Sequence, residues 1–296
     1  MSNILLLILF ASISAFSRGI ISVIDRYQMA YRKQGIIEVN LINNLSSILL
    51  VTILFFFMLR NYSLPHLSTF YFVKIILYAL VVQLVAYGYS YVYKKISIMQ
   101  AVLVNKLSDL FIPIAIFLTA GYLNLHSYFV SITSTLIIVI YIYYQEKHAT
   151  IDINLLTKSF LVIVPLLVFQ SAISPILTKG VSGIVNLIFF TIFTIYIRGI
   201  IAIIVFYLKN KHLTSLNEKR NKQVVLIYST RAILTLLAQI TYTLATSSAQ
   251  SSIAWVFLNL TALYSVFLGE IFLHEKLKLW DILIIVAIFV IALIAK

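Results

Sequence analysis

The stretch that decides the fold is residues 183–208, GIVNLIFFTIFTIYIRGIIAIIVFYL, where 26 residues include one charged side chain, that of Arg198. A helix that crosses the hydrocarbon core of a bilayer needs about 20 mostly apolar residues. A strand of a membrane β-barrel is about ten residues long and alternates apolar and polar side chains. Because this run is longer and does not alternate, it predicts a transmembrane α-helix.

The composition extends this prediction to most of the chain. The 296 residues are 62% hydrophobic and 10% charged, and their mean hydropathy is +1.04. Soluble domains are about 45–50% apolar and about 25% charged, and no soluble fold of this size hides so much apolar surface. The net charge of +13 comes from Lys and Arg that lie mostly between the apolar runs. This pattern is typical of membrane topology signals and argues against nucleic-acid binding.

Ten apolar runs are predicted as spans, which defines an all-α polytopic membrane protein. The runs cover residues 4–24, 37–59, 70–93, 97–120, 126–144, 159–178, 183–208, 225–245, 249–272 and 279–295. The first run lacks the basic residue that normally precedes the apolar core of a signal peptide. We therefore expect it to be retained as the first span.

The two halves of the chain contain matching positions at a nearly constant spacing. The matches are Ser97 with Ser251, Asn105 with Asn259, and VNLI at 39–42 with VNLI at 185–188. They predict two repeats of five spans, residues 1–148 and 149–296. Because five is odd, the second repeat would be inverted in the membrane, an architecture typical of transporters with a site near the midplane. Chance matching between apolar sequences is the alternative.

Two segments are similar to the EamA-type repeat of the drug/metabolite transporter superfamily: GIIEVNLINNL at 35–45 and FLHEKLKLWDILII at 272–285. Glu275, Leu277 and Leu279 fit the family pattern. The chain departs from it with His274 and Ile284 at usual Gly positions, Gly121 at a Glu position, and Asn43 and Asn44 near a usual Arg. The resemblance implies a ten-helix transporter of small organic molecules, such as amino acids, choline-like compounds, nucleotide sugars or drugs.

Residues 102–113, VLVNKLSDLFIP, place Lys106 and Asp109 on one face of the fourth predicted helix. A charge at a helix centre costs about 2.5–3.5 kcal/mol on insertion scales, so it usually faces a water-filled cavity or a partner. One interpretation is a local ion pair. The other is a cavity face on which Lys106 binds an anionic group and Asp109 binds an amine or carries a coupling proton. Pro113 lacks a backbone N–H and is expected to loosen the helix.

Four other basic side chains fall within the predicted spans. Arg198 and Arg18 are interpreted either as side chains that snorkel to an interface or as ligands for an anion. Lys74 and Arg231 lie within two turns of their helix starts, which predicts snorkelling anchors. Asp109 is the one acid predicted to lie well inside a span. The excess of bases over acids favours a substrate with a carboxylate or phosphate.

Polar amides and tyrosines complete the candidate site. Gln83 and Gln239 lie in the middle of spans, and the matched residues Asn105 and Asn259 either bond between helices or line the cavity. The predicted substrate-binding set is Lys106, Asp109, Asn105, Arg198, Arg18, Gln83, Gln239 and Asn259. Four alternating tyrosines are assigned in part to an interface belt, with a cation-binding cage as the alternative: Tyr87, Tyr89, Tyr91 and Tyr93.

No catalytic motif is visible in the chain. The absence of Cys excludes disulfides, thiolate metal sites and thiol nucleophiles. The segment HEKLK at 274–278 lacks the second His of a zinc motif, and the chain contains no phosphate-binding GxxxxGK[ST] loop. We therefore expect no enzymatic activity, no metal and no cofactor, and transport driven by a gradient or by exchange.

Basic residues are distributed unequally between the two ends of the predicted bundle. Fourteen Lys and Arg follow odd-numbered spans, and three lie in the other loops and the tail; we call the end with the fourteen the basic end. The positive-inside rule places this end in the cytoplasm and both termini outside, whereas the resemblance implies termini inside. The expected location is the plasma membrane, or the inner membrane of a Gram-negative cell. The oligomeric state stays open.

These features together predict a secondary transporter, exporter or importer, that moves a small polar organic metabolite by alternating access, with proton coupling or exchange. One alternative is a flippase or carrier for a lipid-linked sugar, which predicts a lateral opening between helices and a basic cavity on one side. The other is a non-transporting accessory subunit of the membrane. It predicts that the charges within the spans pair with each other and leave no cavity.

Overall fold

The computed structural model describes residues 3–65, 68–120, 125–147, 152–178, 181, 183–209, 222–246, 257, 258 and 260–294. Within these ranges the chain is helical and contains no strand. The α-helices, in chain order, are α1 (Asn3–Arg26), α2 (Ile36–Asn61), α3 (Thr69–Lys95), α4 (Ile98–Leu107), α5 (Ile112–Ala120), α6 (Leu125–Lys147), α7 (Ile153–Thr178), α8 (Ile184–Lys209), α9 (Lys222–Thr246), α10 (Leu260–Leu273) and α11 (Leu279–Ile294).

Each of the ten predicted spans overlaps helical structure, which confirms the all-α fold. Among the described residues, seven segments are long and apolar enough to cross a membrane: Leu5–Tyr31, Ile36–Asn61, Thr69–Lys95, Ile98–Thr119, Ile153–Thr178, Ile184–Lys209 and Lys222–Ala245. Shorter apolar helices occupy the fifth, ninth and tenth predicted spans, at Ser131–Gln145, Leu260–Leu273 and Leu279–Ile288. The first part of the ninth predicted span, residues 249–256, lies outside the described residues.

The first span is longer than the sequence predicts. The predicted span ends at residue 24, but α1 continues to Arg26, and a π-helical turn extends it over Tyr27–Tyr31. This correction moves Asp25 from a loop into a membrane-spanning helix. The helix can continue past a charged residue because Asp25 has a partner on another helix, described below.

The fourth span is one run in the sequence but two helices in the structure. Helix α4 ends at Leu107, and a 3₁₀ turn over Ser108–Leu110 leads into α5. Pro113 accounts for the break, because it cannot donate to the carbonyl of Asp109 and its ring crowds that carbonyl. The predicted loosening of the helix before Pro113 is therefore confirmed. The break lies near the middle of the span Ile98–Thr119.

Helix α1 packs along both α9 and α10. At the contact with α10, a Cβ on Gly19 would lie 2.6 Å from the Cβ of Tyr264, so only a glycine allows this approach. On the α9 side, the hydroxyl of the fully buried Ser14 donates to the carbonyl of Ala238 (2.9 Å). Small residues thus line the close helix contacts, as is usual where helices meet in lipid.

The connection between α10 and α11 begins with a strained residue. His274 has a φ of +56°, in the left-handed region, and its N–H donates to the carbonyl of Glu270 (3.1 Å). Glycine adopts this conformation without steric cost, whereas other residues lose roughly 1–2 kcal/mol there. The backbone geometry explains why the family pattern has Gly at this position.

We expect His274→Gly to raise the free energy of unfolding by about 1 kcal/mol, because it removes the clash of Cβ with the backbone. The measurement is the thermal unfolding midpoint of the detergent-solubilised protein. The matched control is His274→Ala, which removes the imidazole but keeps Cβ and should give no increase. An equal midpoint for His274→Gly and the unmodified chain would contradict this account.

Candidate functional site

Arg198 lies in the interior of the helix bundle. Only 8% of its surface is exposed. Its Nε donates to Oε1 of Gln83 on α3 (3.1 Å), and its Nη1 donates to Oε1 of Gln239 on α9 (3.0 Å). The structure therefore brings three predicted site residues together from three helices. It also excludes the interpretation of Arg198 as a snorkelling side chain.

Neutral amides, not a carboxylate, compensate the charge of Arg198. In the described part of the chain no carboxylate lies within ion-pair distance of this guanidinium. Two more donors lie on the α3 side, the Nε2 of Gln83 and the hydroxyl of Tyr87; both atoms are buried and they interact with each other one turn apart on this helix. A buried positive charge that no described carboxylate neutralises is an arrangement that favours an anionic ligand.

A second guanidinium adds to the positive potential of the interior. Arg18 on α1 is near enough to Arg198 for their charges to oppose each other. Its Cζ lies 4.2 Å from the ring centroid of Tyr242 on α9, a cation–π contact. For Arg18, too, no carboxylate among the described residues forms an ion pair.

Arg231 and Asp25 form a buried bidentate ion pair between α9 and α1. Nε of Arg231 lies 2.7 Å from Oδ1 of Asp25, and Nη2 lies 3.0 Å from Oδ2. The prediction that Arg231 snorkels is therefore wrong, and Asp109 is not the only acid inside a span. The cause of both errors is the underestimated length of α1. Lys74 is half-buried near the start of α3, with its Nζ 4.7 Å from the ring centroid of Phe70.

Lys106 and Asp109 form an ion pair at the break in the fourth span. Nζ and Oδ2 are 3.2 Å apart, and the side chains are 9% and 32% exposed, respectively. Asp109 and Asn105 both interact with Tyr89 on α3, which is also within electrostatic reach of Arg18. Tyr89 thus connects this pair to the arginines. The local ion pair is present, and its part in transport stays a prediction.

One member of the predicted set cannot be placed. Asn259 lies outside the described residues, so its correspondence with Asn105 stays a prediction. The other seven predicted residues all lie within the described helices or the 3₁₀ turn.

Tyrosines of α3 contribute more to the interior than the sequence predicts. The buried Tyr93 donates its hydroxyl to Ser22 on α1 (2.9 Å), and the rings of Tyr89 and Tyr93 stack with centroids 5.7 Å apart. These two residues are therefore not part of an interface belt. Their separation of four residues was the available signal, because residues at i and i+4 lie on one helix face.

A polar network that the sequence did not reveal joins four helices at the basic end. Arg26 donates to Oε1 of Glu275 (2.8 Å) and to the carbonyl of Tyr93 (2.7 Å). Oε2 of Glu275 accepts from the N–H of Ile98 (2.8 Å), one of the N-terminal donors that a helix leaves unpaired. Glu275, just after α10, therefore contacts the end of α1 and the start of α4. Through Arg26 it is also connected to the end of α3.

Comparison with known proteins agrees with this architecture. Residues 158–295 match the model of the EamA-like transporter family, which belongs to the drug/metabolite transporter superfamily. No curated protein gives a significant match. The matched region runs from α7 to the end of α11. The chain therefore contains an EamA-like transporter domain, and the predicted resemblance is confirmed.

We expect Asp25→Asn to lower the free energy of unfolding by about 3–5 kcal/mol, because Arg231 would stay buried without its counter-ion. Thermal unfolding in detergent measures the effect. The double variant Asp25→Asn with Arg231→Gln should recover a large part of the loss, since it leaves no isolated charge. Arg60→Gln, an exposed position at the end of α2, is the control and should have little effect. Equal losses in the single and double variants would contradict the pairing.

Proposed function

We propose that this protein is a secondary transporter that moves a small polar organic metabolite across the membrane by alternating access. The observation that carries the proposal is the buried Arg198, which is held by two neutral amides and has no carboxylate within ion-pair distance among the described residues. An anionic group of the substrate, a carboxylate or phosphate, would supply the counter-charge. The EamA-like domain supports the transporter class.

The packing of the helices supports the two inverted repeats of this proposal. The spans α1, α2, α3, α4 with α5, and α6 correspond in order to α7, α8, α9, α10 and α11. When two helices pack together, their two counterparts generally pack together as well. Helix α1 packs on α9 and α10, and its counterpart α7 packs on α3 and on α4 and α5. In the same way α2 packs on α9, and α8 packs on α3. The pairs α2 with α8, α4 with α10 and α6 with α11 map onto themselves.

The position of the candidate residues fits the interface between these repeats. Arg198 belongs to the second half and Gln83 to the first, so their hydrogen bond crosses from one repeat to the other. The Asp25–Arg231 ion pair also crosses. In inverted-repeat transporters the substrate binds between the repeats, which rock about it.

The interrupted fourth span provides a place where the binding of a proton can be coupled to the movement of the substrate. Broken helices near the midplane are typical binding elements of transporters, because their free backbone groups and side chains meet the substrate or the ion. Asp109 lies in the break and is the more exposed partner of its ion pair. In this proposal the ion pair between Lys106 and Asp109 breaks when the carboxylate of Asp109 binds a proton or the amine of a substrate.

Two other functions make different predictions. A non-transporting accessory subunit would pair all its buried charges, but Arg198 and Arg18 have no carboxylate partner among the described residues. A flippase for a lipid-linked sugar would need a lateral opening that reaches the basic interior. A lateral groove is present between α2 and α9, but neither Arg198 nor Arg18 lines it. A small-molecule transporter is therefore the better proposal.

A transport assay tests the substrate class directly. The purified protein in liposomes is challenged with panels of small carboxylates, organic phosphates and amines, and charge movement is recorded on a solid-supported membrane. We expect responses to carboxylates or phosphates, and at least a tenfold loss in Arg198→Gln, since one charge-assisted contact is worth more than 1.4 kcal/mol. Arg60→Gln is the matched control. Transport of amines that is insensitive to Arg198→Gln would contradict the proposal.

Cysteine accessibility tests the site without knowledge of the substrate, because the chain contains no natural Cys. We expect Gln239→Cys and Asp109→Cys to react with a membrane-impermeant thiol reagent from one side of the bilayer. Leu237→Cys is the control, as Leu237 is 44% exposed on the same helix and would face lipid. Absence of labelling at both site positions in a folded protein would favour the accessory subunit.

A further inference from the structure

A groove with a volume of about 620 Å³ separates part of α2 from α9. Its walls are formed by α2 from Gly35 to Leu50 and by α9 from Val224 to Ile233. At 1.5 Å per residue the α2 wall is about 22 Å long. None of the predicted substrate-binding residues lines this groove, so it is separate from the candidate site.

The walls of the groove are largely apolar and open towards the membrane. Leu49 on one wall is 71% exposed, and Val225 and Ile233 on the other are 54% and 49% exposed. In a membrane-spanning bundle such side chains meet lipid, not water. The groove therefore presents an apolar channel to the hydrocarbon layer.

One end of the groove is polar and positively charged. Arg32 and Lys33, in the link between α1 and α2, line it at the basic end of the bundle. The neighbouring Gln34 also lines this end and accepts a hydrogen bond from the hydroxyl of Tyr228 on α9 (3.2 Å). Glu38 also lines this end, but it lies in the first turn of α2, where the helix dipole offsets its charge.

We propose that this groove binds an anionic phospholipid, with the phosphate of the headgroup beside Arg32 and Lys33 and an acyl chain along the apolar walls. The length of the α2 wall and the lateral opening fit an acyl chain. The charges fit an anionic headgroup, because the described residues that line the groove include two cations and one carboxylate. Basic residues at a membrane surface attract anionic lipids in this way. The proposal does not depend on what the protein transports.

The backbone at Lys33 offers a way to remove the charge without straining the turn. Lys33 has a φ of +53° and is exposed, a conformation that glycine adopts at lower cost. The turn itself therefore does not favour a lysine. Replacement of Lys33 by glycine therefore removes one of the two cations and suits the backbone conformation.

Native mass spectrometry of the full chain in detergent tests the proposal, with phosphatidylglycerol and phosphatidylcholine of equal chain length as competing probes. We expect a clear excess of bound phosphatidylglycerol. Lys33→Gly should reduce that preference about fivefold, the effect expected for one basic residue at a membrane surface. This variant also relieves the backbone, so it should fold at least as well as the unmodified chain. The matched control His274→Gly relieves the same kind of strain outside the groove and should keep the preference.

A second pair of variants tests whether the groove itself holds the lipid. Val225→Trp fills the groove and should reduce binding of both lipids, whereas Leu226→Trp, at the adjacent position that does not line the groove, should not. Equal binding of the two lipids would overturn the proposal. The proposal would also be overturned if Lys33→Gly reduced the binding of phosphatidylglycerol but Val225→Trp had no effect. That result would indicate that the lipid is attracted to a charged surface and does not occupy the groove. A change in oligomeric state caused by Val225→Trp would indicate a second copy of the chain as the occupant, and would also overturn it.

Discussion

Charge buried in a hydrocarbon layer has to be compensated within the protein, and the described structure compensates it in four different ways. Arg231 has a carboxylate of another helix in bidentate contact. Lys106 has Asp109, one turn away on the same span. Arg198 has amide dipoles, and Arg18 has the face of an aromatic ring. A carboxylate neutralises the positive charge of Arg231. Amide dipoles and an aromatic ring do not neutralise Arg198 and Arg18, so these two side chains can still attract an anion.

Helix α1 links these arrangements because it carries a polar residue at each level of its contacts with α9. Ser14, Arg18 and Asp25 face Ala238, Tyr242 and Arg231, respectively. At its C-terminal end, Arg26 adds the contact with Glu275, in the connection that follows α10. Since α1 belongs to the first half of the chain and its partners to the second, these contacts hold the two halves together, and those of Asp25 and Arg26 do so at the basic end. A transport cycle that opens this end would have to separate them.

Much of the fold could be predicted because lipid reduces the choice of structures. A backbone in hydrocarbon has to satisfy its own hydrogen bonds, so long apolar runs imply helices and the ten runs imply ten spans. The break before Pro113 was predictable from the missing N–H of one residue. The candidate site was less predictable. The sequence placed Gln83 and Gln239 in the middle of spans and Arg198 further along its own span, but it contained no sign that the three side chains meet.

The sequence by itself determined the helical spans, the excess of buried base over acid and the concentration of basic residues at one end, because each follows from local composition and from the thickness of a bilayer. Only the tertiary structure decided which charges are paired. Asp25 and Arg231 are 206 positions apart, and their contact depends on the continuation of α1 past residue 24 and on the packing of α1 against α9. Helical periodicity gives the face on which a residue lies. It does not give the neighbour of that face, which is set by the arrangement of all the helices together.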